Sequence, residues 1–90
     1  MHVTVHYFAQ LRRAASCTSE RVDIAPDETI ATLFGRLGTA HGELVRTLLL
    51  GTNGVPHPSL LVFIGEQPAD RSQPLRDGDE VTILTPMAGG

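Results

Sequence analysis

The group best suited to chemistry lies at the end of the chain, in Thr85-Pro86-Met87-Ala88-Gly89-Gly90. Gly89 and Gly90 have no Cβ, so this backbone can enter a narrow slot and reach conformations closed to other residues. The only reactive group of the segment is the α-carboxylate of Gly90. A carboxylate is a poor electrophile until one oxygen is made a good leaving group; a glycyl carbonyl, once activated, is sterically open to attack. Pro86 stiffens the exit from the preceding strand and withholds a backbone donor. Residues 86–90, fully extended, reach roughly 17 Å, enough to place a carboxylate deep in another protein's active site. Gly90 is therefore the candidate reactive residue. Pro86, Met87, Ala88 and Gly89 form the segment that would enter a partner.

The other candidate groups offer less. All seven basic residues are Arg, and Lys is absent. The chain thus has no side-chain amine for Schiff-base chemistry or isopeptide attachment, and any acyl bond it forms must use its C-terminus. Cys17 is alone, which excludes an internal disulfide and suits a reducing cytoplasm. It falls in a turn with no His nearby in sequence, which argues against a catalytic thiol. The histidines at 2, 6, 41 and 57 lack ligand spacing, so no metal site is expected. Asp77, Asp79 and Glu80 crowd one stretch, but it is too short for an EF-hand loop. It reads as a tight turn of solvated charges, which could also meet a basic surface on a partner. Gly51-Thr52-Asn53-Gly54 has neither the Lys nor the spacing of a nucleotide cradle.

Composition narrows the classes further. Ninety residues make one domain with a modest core. A chain 41% hydrophobic and 19% charged folds rather than staying disordered. The net charge is -3; with no basic run, nucleic-acid binding has little support. No apolar run approaches the roughly 20 residues needed to span a bilayer. No basic n-region precedes an apolar core, so no signal peptide is expected, and the location read from this is cytoplasmic.

The elements that must position the C-terminus follow from periodicity. Residues 2–8 alternate, with Val3, Val5 and Tyr7 on one face and Thr4, His6 and Phe8 on the other. Residues 9–15 suggest a short helical turn. Residues 20–25 alternate again, with Val22 and Ile24 inward. Thr29 is an N-cap candidate after Pro26-Asp27-Glu28, whose acidic pair suits the positive end of a helix dipole. Ile30, Leu33, Phe34 and Leu37 then form one apolar stripe. Gly35 and Gly38 weaken that helix by about 1 kcal/mol each relative to Ala, or allow it to pack closely on a sheet. Leu44, Val45, Leu48 and Leu49 repeat the helical spacing. Residues 51–58 are a loop full of breakers. Residues 60–64 are a strand apolar on both faces, the pattern of a covered mid-sheet strand. Residues 65–68 turn the chain. Asp77-Gly78 is a further turn before the last strand, residues 80–84.

The order strand, strand, helix, short helix, strand, strand gives an α+β fold. It is a mixed four- to five-stranded sheet with one main helix packed on one face, the β-grasp layout. Residues 1–85 would form the domain, and 86–90 a flexible C-terminal tail. The inward set would be Val3, Val5, Val62, Ile64, Val81 and Ile83. Phe8, Leu61, Phe63 and Leu84 would lie on the other face as an uncovered patch, and such patches commonly mark an interface. The competing expectation is that the loop around Val55 folds over them.

These residues carry a family resemblance. Val22-x-Ile24-x-Pro26-x-x-Thr29-Ile30-x-x-Leu33 resembles the second strand and helix start of ubiquitin-like proteins. Val5-His6-Tyr7-Phe8-Ala9-Gln10-Leu11-Arg12 resembles the opening strand of MoaD-type proteins, the small subunit of molybdopterin synthase, although His6 stands where that type has an apolar residue. Pro74-Leu75-x-Asp77-Gly78-Asp79-x-Val81, followed by Pro86-Met87-Ala88-Gly89-Gly90, resembles the ending shared by MoaD- and ThiS-type sulfur carriers. The resemblance implies a carrier that is not an enzyme by itself and binds no cofactor. An ATP-dependent activating enzyme of the MoeB/ThiF type would adenylate the Gly90 carboxylate, and a persulfide would convert it to a thiocarboxylate. In the MoaD case the tail enters the large synthase subunit and gives its sulfur to the molybdopterin precursor. The ending is shared among carriers, so thiamin, cysteine and secondary-metabolite biosynthesis stay open as acceptors. Protein conjugation through Gly90 and a binding module with an inert tail stay open as well.

Overall fold

The computed structural model describes residues 1–85 except Thr52, Asn53, Val55 and Pro58. The chain runs β1 (His2–Tyr7), α1 (Ala9–Ala15), β2 (Ser19–Asp23), α2 (Ile30–His41), α3 (Glu43–Leu49), β3 (Leu61–Ile64), β4 (Gln67–Pro68) and β5 (Glu80–Leu84). The strands form one mixed sheet in the order β2-β1-β5-β3-β4. β1 pairs antiparallel with β2 and parallel with β5, and β3 pairs antiparallel with both β5 and β4.

The period-2 pattern decides which face is covered. Val3, Val5 and Tyr7 of β1, Val62 of β3, and Val81 and Ile83 of β5 are buried. They meet Ile30, Leu33, Phe34 and Leu37, the whole apolar stripe of α2. Val45 and Leu49 of α3 and Leu11 and Ala15 of α1 complete this layer. Burying each such large side chain contributes about 1.5–3 kcal/mol relative to exposure, so this single layer holds the domain together.

The start of α2 shows how local chemistry fixes an element. The Thr29 hydroxyl accepts a hydrogen bond from the Thr32 N–H at 3.3 Å, the N-cap that the sequence suggests. Two more first-turn donors are satisfied from a distant loop: Ile30 N–H donates to the Gln73 carbonyl at 3.3 Å and Ala31 N–H to that of Arg71 at 3.0 Å. The orphan donors of a helix N-terminus thereby find partners. Glu28 does more than face the dipole. It is buried, and its Oε1 accepts from Ala25 N–H at 2.9 Å and from the Arg36 guanidinium at 2.6 Å.

Two expectations need correction, and a third resolves. Residues 65–68 do not only turn: Gln67–Pro68 form β4, a short fifth strand paired with Phe63 and Ile64. The apolar run of β3 alone would suit a strand covered on both sides, but its outer face is open at Leu61, 57% exposed, as the uncovered patch expected there requires. Gly38 serves close packing, but against α3 rather than the sheet: a Cβ there would lie 3.0–3.1 Å from Arg46. Gly35 faces open space instead.

Candidate functional site

β5 is the element that matters for the C-terminus, since the chain passes from Leu84 through Thr85 into residues 86–90. The candidate reactive residue Gly90 and the candidate inserting residues Pro86, Met87, Ala88 and Gly89 lie outside the described residues. What the structure does describe is the surface from which they depart.

The start of β5 is tied to the start of β1 by the Asp-Gly-Asp turn. Gly78 has φ +86°, a backbone conformation natural to glycine. Its N–H donates to the His2 carbonyl at 2.7 Å. The Asp77 carboxylate accepts from the His2 N–H at 3.0 Å, and Asp79 Oδ2 accepts from the Arg76 N–H at 2.8 Å. The His2 backbone hydrogen bond, first, and the nearby charges of His2, the N-terminus and Arg21 hold the Asp77 carboxyl below the usual range, although slight desolvation opposes them. Thr4 N–H donates to the Asp79 carbonyl at 2.9 Å, continuing the same junction. These acids therefore build a turn, as read, and in doing so they set the β1–β5 register.

From that junction the outer face of the sheet changes character row by row. Thr4 sits beside Glu80 in the β1–β5 register. Next, His6 pairs with Thr82, and Thr82 with Phe63 across β3. His6 Nε2 lies 2.5 Å from Glu80 Oε1, so the imidazole leans back towards the acidic end. The last row holds Phe8 and Leu84, each one residue beyond the Tyr7–Ile83 pair, with Leu61 opposite Leu84. Phe8 is 46% exposed and Leu61 57%, while Phe63 and Leu84 are half-buried. The structure thus gathers Phe8, Leu84 and Leu61 at the end of the sheet where the chain departs through Thr85, with Phe63 one row further in.

The competing expectation placed the loop around Val55 over this patch; Val55 itself lies outside the described residues. Its described neighbours pack elsewhere. Pro56 bridges to Leu50, and His57 N–H donates to the Leu49 carbonyl at 3.0 Å. Arg71 donates from Nη2 to the carbonyls of His57 at 2.5 Å and Leu60 at 3.0 Å. This arginine clamp, invisible in the sequence, holds that loop beside α3.

Cys17 is half-buried after α1. Burial, and then the Glu20 carboxylate, push its thiol up, which keeps it protonated and unreactive. Glu20 is itself engaged: its Oε2 accepts from the Tyr7 hydroxyl and pairs with His41 Nε2. Burial above all, together with that carboxylate, pushes the Tyr7 phenol far above its ordinary value. This half-buried network ties β1, β2 and the end of α2 together. Among the described residues no helix is long and apolar enough to cross a membrane, and no three His, Cys, Asp or Glu residues are placed to hold a metal ion.

This arrangement, a mixed sheet grasping one main helix with its last strand inside the sheet, is the β-grasp fold of ubiquitin-like proteins. The ThiS family model matches residues 5–90, and the chain belongs to that family of small sulfur carriers. Solved structures agree on the fold. The small archaeal modifier protein SAMP1 of Haloferax volcanii superposes with a TM-score of 0.89 at 24% identity, covering 100% of both chains. A putative molybdopterin converting factor, subunit 1, from Pyrococcus furiosus gives 0.78 at 20% identity, over 97% of this chain and 99% of that one. Urm1 of Trypanosoma brucei gives 0.78 at 25% identity, over 99% and 95%. None of the curated proteins matches the sequence. Carriers of the MoaD/ThiS type work with activating enzymes and with partner enzymes that use the sulfur.

Proposed function

We propose that this chain carries sulfur as a thiocarboxylate on Gly90 and donates it in molybdopterin biosynthesis as the small subunit of a molybdopterin synthase. The observation that carries the reading is the join between surface and tail. An exposed apolar row, Phe8–Leu84–Leu61, sits where β5 hands the chain to a segment ending in Ala-Gly-Gly. A partner that docks on this row lies next to Thr85, the last described residue before that segment. An activating enzyme of the MoeB/ThiF type transfers AMP from ATP to the Gly90 carboxylate, and pyrophosphate leaves. A persulfide sulfur then displaces AMP, and a thiol reduces the resulting acyl disulfide to the thiocarboxylate. That product is anionic, polarisable and unhindered, and it acts on the precursor within the large synthase subunit. No bound cofactor is required of the carrier. Family membership supports the sulfur chemistry, and the resemblance of Val5–Arg12 to the opening strand of MoaD-type proteins supports this acceptor.

Intact mass after incubation with ATP, an activating enzyme and a sulfur source tests the reading. Replacement of one oxygen by one sulfur at Gly90 is the expected change; an unchanged mass points to a β-grasp binding module instead. A second reading, conjugation of Gly90 to other proteins, draws on the likeness to a modifier protein. It predicts Gly90 joined to target lysines in digests of cell extract.

A further inference from the structure

α1 and α3 pack beside each other on the helix side of the sheet. Two cavities lie along their junction. One, of about 220 Å³, has Leu48, Leu60, His57 and Thr85 in its wall. The other, of about 280 Å³, is lined by Arg13 and Ala14 of α1 and Leu44 of α3. Gln10 and Leu48 line both, so the two form one groove that begins at Thr85. Leu44, in the cavity farther from Thr85, is 65% exposed. The charges in this groove are simple. Among the described residues, Arg13 is the one charged side chain that lines it. Arg13 has no ion pair among those residues, and α1 holds a second arginine, Arg12, and no acid. His57 spends Nε2 on the Thr47 carbonyl at 3.0 Å. The first acid of α3, Glu43, pairs with Arg46 at 3.7 Å and does not line the groove. Such a groove suits a short segment with one apolar side chain, little other bulk and a carboxylate.

We propose that its occupant is the chain's own C-terminus: in a resting state, residues 86–90 lie back along the groove, with Met87 in the cavity beside Thr85 and the Gly90 carboxylate on Arg13. Ile83 is buried and Thr85 lines the cavity, so both face the helix side of β5. Continuing that alternation by two residues carries Met87 to the same side. A methionine side chain adapts to irregular apolar space. Ala88, Gly89 and Gly90 add almost no bulk, and residues 86–90 reach roughly 17 Å, long enough to bring the terminal carboxylate to Arg13. An Arg–carboxylate pair can close with two parallel hydrogen bonds. Attachment at Thr85 makes the docking intramolecular, at an effective concentration on the order of mM. This favours the chain's own end over a second copy or a segment of another protein. A partner on the Phe8–Leu84–Leu61 row stands on the opposite face of the sheet, and it draws the C-terminus out of the groove before acting on it. The groove thus shields Gly90 between enzymes. The docking does not depend on the sulfur reading, since a carboxylate and a thiocarboxylate carry the same charge.

The test is NMR on the full chain, labelled at methionine and leucine methyl carbons and at amide nitrogens, with no ATP, enzyme or sulfur source present. Met1 and Met87 are the only methionines, so the Met87 methyl is readily assigned. Nuclear Overhauser effects from that methyl to the Leu48 and Leu60 methyls are expected. The Gly90 amide should be more ordered in the parent than in Arg13→Glu, by heteronuclear relaxation. Arg13 is exposed, so Arg13→Glu should fold; it should lower the docked-to-free ratio about threefold at low salt and less at high salt. Thr47 is also exposed, and Thr47→Phe should fill the cavity and remove the Met87 contacts. The proposal fails if the Met87 methyl shows no contact with Leu48 or Leu60. It also fails if a folded Arg13→Glu leaves Gly90 as ordered as in the parent, or if the contacts arise between differently labelled molecules, which would assign the groove to a second copy.

Discussion

The two ends of the parallel β1–β5 pair are built in opposite ways. At one end, Asp77, Gly78 and Asp79 lock the strand starts together through three hydrogen bonds of 2.7–3.0 Å, and a fourth, from Arg76 N–H to Asp79, closes the turn. The outer face beside them is polar, with Thr4, Glu80 and His6. At the other end the outer face turns apolar at Phe8, Leu84 and Leu61, and the chain leaves through Thr85. Hydrogen bonds that tie the strands through a turn are concentrated at one end, and exposed apolar side chains at the end where the chain leaves through Thr85. The difference separates holding the register from presenting the chain, so each can be altered alone.

The largest expected effect comes from the presenting end. Deleting Gly89 and Gly90 should abolish sulfur loading altogether while leaving the thermal midpoint unchanged; intact mass and a melting curve check both. Leu61→Glu, at the most exposed position of the apolar row, should weaken binding to the proposed partner, a large synthase subunit, by about 2 kcal/mol, the scale of a central interface residue. Calorimetric titration measures this, and an unchanged circular dichroism spectrum would show that the fold survives. Phe63→Glu should act in the same direction, one row further in.

Changes at the locked end should do the reverse. Gly78→Ala forces a left-handed backbone on a residue with a Cβ, at a cost of about 1–2 kcal/mol, visible in urea unfolding, with partner affinity retained. The smallest effect is that of Asp77→Asn, and it should depend on pH. The folded carboxyl titrates below its unfolded value. Its stabilisation is therefore present above the unfolded value and is lost as pH falls through the folded one. Parent and variant should differ in stability at neutral pH and converge in acid.

The parts legible in sequence were those set by short periods. The stripe Ile30, Leu33, Phe34, Leu37 and the alternation Val3, Val5, Tyr7 each report their own burial, because a neighbour three or two residues away shares the face. Thr29 was legible as a cap for the same local reason. The four outer residues followed from alternation alone, but their convergence on one end of the sheet required the β1–β5–β3 register. Gln67–Pro68 was missed as a strand because two residues carry no period. Gly38 could not reveal Arg46 as its neighbour, since the turn at Gly42 decides how α3 folds back. The Tyr7–Glu20–His41 network and the Arg71 clamp join residues far apart in the chain, and no local pattern announces them. The sequence also gave no sign that β2 would lie at an edge.

β5 lies between β1 and β3 and is bonded to both. A partner that draws the C-terminus into a narrow channel pulls along the axis of this strand. Such a force loads two ladders in shear, so their bonds resist together rather than opening one at a time. A strand so placed resists a pull on the residues that follow it better than an edge strand would.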